Sequence, residues 1–119
     1  MDTNEKQKLE DELKTFTGTE HYFRNFTGLI FTDGIQYLAE KTGAHWLIDL
    51  IGSYQYKLKN IPFQLWTIKV NDDKTAEVIC KEDTHTPIIV KQKLEYTDFP
   101  LKNFECYCID GILLLTTEN

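Results

Sequence analysis

The spacing of the apolar residues changes once along this chain, and the change falls at Pro62. Before it, apolar side chains recur every three or four positions, as on one face of a helix. After it they recur every second position, as on one face of a strand. From about His45, the residues Leu47, Leu50, Ile51, Tyr54 and Leu58 keep the helical spacing for three turns, with Asp49, Gln55, Lys57 and Lys59 mainly on the other side. Lys57 and Lys59 suit the negative end of a helix dipole. Pro62 forbids continuation, because it has no amide hydrogen to donate. From Phe63, Trp66, Ile68 and Val70 alternate with Leu65, Thr67 and Lys69.

Two further helices are expected upstream. Residues 4–15 place Leu9, Leu13 and Phe16 on a narrow stripe against a charged background, which suits a surface helix docked along one edge. Thr17-Gly18-Thr19 breaks it, and Gly28 marks a further bend. Thr32 or Asp33 can cap the next helix, whose buried stripe is Ile35, Leu38 and Ala39 and whose end is Gly43 in a left-handed conformation.

Downstream, Asn71-Asp72-Asp73-Lys74 reads as a hairpin turn into Ala76, Val78 and Cys80. Residues 82–87 form a second turn into Ile88, Val90, Leu94 and Tyr96. Thr97-Asp98-Phe99-Pro100 breaks that strand. Phe104, Cys106 and Cys108 alternate next, Asp110-Gly111 is a strong two-residue hairpin signal, and Ile112 to Leu115 make a last short strand. The expected architecture is a two-layer α+β domain over residues 1–119. N-terminal helices pack on a C-terminal antiparallel sheet of four or five strands, residues 1–5 fray, and an exposed last strand is able to pair edge to edge in a homodimer.

Charge and cysteine content narrow the function. Thirteen Lys and Arg stand against 19 Asp and Glu, a formal charge of -6. Nucleic-acid affinity comes largely from cations that neutralise phosphates, so direct nucleic-acid binding is not expected, nor is adhesion to anionic lipid. No apolar run approaches the ~20 residues of a membrane span, and the polar N-terminus is unlike a secretory signal. The expectation is a cytoplasmic chain. Cys80, Cys106 and Cys108 are an odd set with poor disulfide or zinc spacing, and are expected as free, buried thiols.

Three stretches carry a resemblance: Phe16-Thr17-Gly18-Thr19-Glu20-His21-Tyr22-Phe23-Arg24, residues 31–49 from Phe31-Thr32-Asp33-Gly34 to Leu47-Ile48-Asp49, and Glu95-Tyr96-Thr97-Asp98-Phe99-Pro100-Leu101 with Asp110-Gly111-Ile112-Leu113-Leu114-Leu115. From about residue 13 to its end, the chain resembles a family of small bacterial and mobile-element proteins classed as a domain of unknown function. The resemblance implies a small accessory role toward a host, in phage and plasmid contexts. It carries over no activity and no site.

Candidate chemistry is sparse. His45 and Asp49 share a helix face at i, i+4 and, with His21, have the composition of a two-histidine, one-carboxylate metal site; a surface His–Asp pair is the plainer reading. His85 reads as a turn residue. Cys106 or Cys108 beside a histidine is a conceivable nucleophile in the wrong, acidic setting. Arg24, the only arginine, is expected to fix its loop by stacking on an aromatic ring or pairing with Glu20 or Asp33. No catalytic residue, metal or cofactor is assigned.

The expected function is a non-enzymatic protein-binding module whose partner is a larger, basic-surfaced host protein. The expected contact residues are Asp72, Asp73, Glu77, Glu82 and Asp83, with the aromatics Tyr22 and Tyr56. Its sharpest form is a phage-type inhibitor of a host defence system, of the anti-CRISPR kind. The alternatives are a metal-dependent or hydrolytic enzyme using the His/Asp cluster, and single-stranded nucleic-acid binding through exposed aromatics.

Overall fold

A computed structural model describes residues 1–119. Helix α1 spans Thr3–Leu13; it begins at Thr3 because Asp2 and Glu5 form a reciprocal capping box, which orders the stretch expected to fray. Strands β1 (Tyr22–Arg24) and β2 (Ile30–Thr32) follow. Helix α2 (Asp33–Thr42) is capped by the Thr32 hydroxyl and ends at Gly43 with φ 73°. Helix α3 (His45–Tyr54) tightens into a 3₁₀ turn over Gln55–Lys57, so its regular part is shorter than the three turns expected. Strands β3 (Phe63–Val70), β4 (Ala76–Lys81), β5 (Ile88–Leu94), β6 (Asn103–Ile109) and β7 (Ile112–Leu115) complete the sheet, and a 3₁₀ turn covers Thr116–Glu118.

The α+β class holds, but the sheet differs from expectation in three ways. It has seven strands, in the order β1-β2-β7-β6-β3-β4-β5, and it is mixed because β2 runs parallel to β7. The extra strands β1 and β2 are three residues each, too short for an alternation to show. They are held by pairing with each other and by the stacked rings of Phe23 and Phe31, 5.5 Å apart. Second, the C-terminal strands are not a simple meander: β6 returns to the far side of β3 from β4. Third, the last strand is no edge. β7 lies between β2 and β6, so edge-to-edge dimerisation through it is ruled out; the edges are β1 and β5.

All three helices lie on one face of this sheet. Trp66 sits in register with Cys80 on β4 and Cys106 on β6, and Cys106 with Leu115 on β7. That row faces the helices and, with Ile35, Leu38, Leu47 and Ile51, belongs to one core of 23 buried residues. Polar groups inside this layer are paired. Gln64, 2% exposed, takes the Trp66 indole N–H at 2.9 Å, exchanges amide hydrogen bonds with Gln55, and so joins the end of α3 to β3. The Glu118 carboxylate is buried too. It accepts from the hydroxyls of Thr32 (2.7 Å) and Thr19 (3.2 Å) and from the Leu115 amide (2.9 Å), fastening the C-terminus to the start of α2.

The β1–β2 loop rests on α3 in the same way. Asn25 donates from Nδ2 to Asp49 at 2.7 Å, and Thr27 lies so close to Gly52 that a β-carbon there would collide with its side chain. Glycine inside a helix is ordinarily a weak point, and here it is required by the approach of the loop.

Two stability predictions follow from these contacts. Glu118→Ala strands the buried Thr32 hydroxyl and Leu115 amide and should cost about 2 kcal/mol in urea unfolding, with Glu118→Gln recovering part of it. Gly52→Ala, which improves most helices by about 1 kcal/mol, should instead destabilise this one by ~1–3 kcal/mol through overpacking.

Candidate functional site

In an antiparallel sheet with one solvated face, the exposed side chains are usually polar. Here they are not. Leu65, Ile79 and Leu114 are only 7%, 8% and 9% exposed, yet none belongs to the core under the helices. Register places all three on the opposite face, where each is shielded by its neighbours: Leu65 lies level with Tyr107 and Lys81, and Leu114 level with Tyr107. One row further along, Ile30, Ile112, Ile109 and Phe63 stand side by side across β2, β7, β6 and β3. The Phe63 and Tyr107 rings lean together at 5.1 Å and 46°. At ~4.8 Å between strands, these rows form an apolar strip roughly 15 Å long. No helix covers it.

Charge on this face differs from charge on the whole chain. Register puts Arg24, Lys69, Lys81, Lys91 and Lys93 on it with only two carboxylates, Glu77 and Glu105. Glu77 pairs with Lys91 at 3.5 Å, and the other four cations make no ion pair. Arg24 therefore does not fix its loop to Glu20 or Asp33 as expected; it is exposed on the edge strand.

The sequence-predicted contact residues are not brought together. Asp72 and Asp73 occupy the β3–β4 turn and Glu82 and Asp83 the β4–β5 turn, at opposite ends of the six-residue strand β4, about 16–20 Å apart. Glu77 lies between them on the open face. Asp72 pairs with Lys102 at 3.2 Å. Asp73 accepts from the Thr75 hydroxyl and amide at 2.6 and 3.0 Å, and these bonds hold its carboxyl below its ordinary pKa of 3.8. Tyr22 is exposed on the open face, whereas Tyr56 is exposed beyond the end of α3, beside Lys57. Phe26, 85% exposed at the tip of the β1–β2 loop, is an anchor-like ring that no sequence periodicity marks.

Nor do the candidate catalytic groups converge. No three His, Cys, Asp or Glu side chains are arranged to hold a metal. Asp49 is engaged by Asn25, His45 opens α3 in solvent, and His21 sits at the far end of β1 from Asn25. All three cysteines are free and buried. Burial pushes the Cys80 and Cys108 thiols up to about 12, and Cys106 higher still by the same cause, so they remain protonated and unreactive at neutral pH. A groove of about 500 Å³ beside Gly28, Gly52 and Gly111 offers only Tyr56 and Lys59 as titratable groups.

A family model described as a family of unknown function, DUF6876, matches residues 7–119. The chain belongs to this family. The match begins a few residues before the likeness read from the sequence and takes in all seven strands, so the open face lies wholly within the region that defines DUF6876. No curated protein matches the chain, and no solved structure does. No helix is long and apolar enough to cross a membrane.

The β3–β4 turn yields two checks. Lys74 has φ 68°, a left-handed conformation that costs a side-chain-bearing residue ~1–2 kcal/mol, so Lys74→Gly should stabilise the protein by about 1 kcal/mol. A depressed carboxyl pKa contributes stability that is complete above the unfolded value and lost as pH falls through the folded one. The Asp73 carboxyl should therefore titrate by NMR below 3.8, and Thr75→Val should move its midpoint back toward that value.

Proposed function

We propose that this chain is a protein-binding module that acts by presenting the open face of its sheet, and not an enzyme. The observation that supports the reading is the placement of Leu65, Ile79 and Leu114: large aliphatic residues, buried among their neighbours, outside the core and under no helix. Apolar side chains on the solvated side of a sheet contribute nothing to the helix–sheet core. Contiguous apolar patches of this kind, rimmed by charge, mark interaction surfaces. The neighbouring rings of Phe63 and Tyr107 supply the aromatic anchors in which such interfaces are rich.

On this reading the module works in the cytoplasm on a larger protein, and it keeps the bacterial, mobile-element setting that the resemblance implies. The narrower form, an anti-CRISPR-like inhibitor filling a basic groove, calls for one continuous acidic surface. The acidic turns at opposite ends of β4 do not supply that, and the apolar face is the better-supported contact.

The test is retention of a cellular partner by the native chain and by face variants. Ile109→Glu and, independently, Phe63→Glu should leave the melting temperature within a few degrees while weakening the complex at least tenfold; Gln36→Glu on the helical side should do nothing. Loss of the complex with Gln36→Glu, or equal retention by all variants, would show that the open face is not the interface.

A further inference from the structure

Resting on that reading, we infer that the occupant of the open face is an acidic amphipathic helix of a protein partner, with a stripe of apolar residues flanked by Asp and Glu. Shape and charge both select this occupant. The apolar strip is roughly 15 Å long, which matches about ten residues of helix at 1.5 Å per residue. A helix is also what this sheet already takes on its other side, where three of ten or eleven residues are seated.

Charge selects among the possible occupants. The chain as a whole carries -6, but the open face holds five cations against two carboxylates. Arg24 stands level with Ile30 at the β1 end and Lys81 level with Leu65 at the β4 end of the strip, each without an ionic partner, while Lys69 and Lys93 lie further along their strands, level with Glu77. An apolar centre with unpaired cations at both ends is complementary to an apolar stripe with acidic flanks, and such complementarity governs which partner is admitted. A second copy of this chain is disfavoured, since two such faces set together would bring unpaired cations of like sign into contact. Single-stranded nucleic acid is disfavoured as well. Stacking needs rings presented flat, whereas Phe63 and Tyr107 are tilted against each other and the rest of the strip is aliphatic.

The experiment is a titration of isotope-labelled protein, followed by amide NMR, with two synthetic amphipathic peptides. One carries leucine and glutamate at helical spacing; the other carries the same leucines with lysine in place of every glutamate. The glutamate peptide should shift Leu65, Tyr107, Ile109 and Ile112, leave α2 unmoved, and bind at least tenfold more tightly than the lysine peptide. The double variant Arg24→Glu, Lys81→Glu should abolish that preference while Ile109→Glu weakens both peptides.

Equal or tighter binding of the lysine peptide overturns the inference, and so does failure of both peptides to reach this face. Concentration-dependent broadening of the same amides without peptide, or displacement of the peptide by oligothymidylate, would assign the face to a second copy or to nucleic acid instead. If the cellular complex is lost with Ile109→Glu yet unaffected by the double variant, the acidic partner is wrong and the protein-binding reading stands. If Ile109→Glu leaves that complex intact, the reading itself falls.

Discussion

A sheet of seven strands is about 30 Å wide, and three helices of ten or eleven residues, each some 15 Å long, are enough to cover only one side of it. That limit on coverage shapes the rest of the molecule. The strands β3, β4 and β7 carry apolar residues on both faces, so one set meets the helices and the other lies on the side that no helix covers. On the inner side, Trp66, Cys80 and Cys106 stand in a row, with Trp66 against Tyr54 of α3. On the outer side, Leu65, Ile79 and Leu114 are sheltered only by one another and by longer neighbours. Burial of apolar area stabilises at roughly 25 cal/mol per Å². What the outer strip still exposes, Phe63 above all at 37%, is area that a second surface can bury.

The inner layer is closed by a small number of paired polar groups at its seams. Gln64 joins Trp66 to the end of α3, Asn25 and Thr27 seat the β1–β2 loop on the same helix, and Glu118 ties the C-terminus to the start of α2. No buried polar side chain is left without a partner.

Net charge is a poor guide to where this molecule meets others. Its -6 is spread over two turns, α1 and scattered loops, and part of it is spent inside local pairs such as Asp72 with Lys102 and Asp73 with Thr75. The one face with an extended apolar strip has the opposite sign. Averaging over a whole chain hides that reversal, because a sheet gathers side chains from strands far apart in sequence onto one surface.

The local half of this structure was legible in the sequence. The three helices, the Thr32 cap, the Gly43 terminus, the Asp110-Gly111 turn (φ 51° and 80°) and the alternation within β3, β4 and β6 all depend on interactions within a few residues, and composition and spacing record such interactions directly. Strand order, the parallel β2–β7 pair and the existence of β1 were decided by tertiary structure, since each rests on partners some eighty residues away or on strands too short to show a period. The candidate face belongs to that second class. Alternation told that Leu65 and Trp66 point to opposite sides; only the docking of the helices determined that Trp66 would be inside and that Leu65, with Ile79 and Leu114, would be left on the open surface.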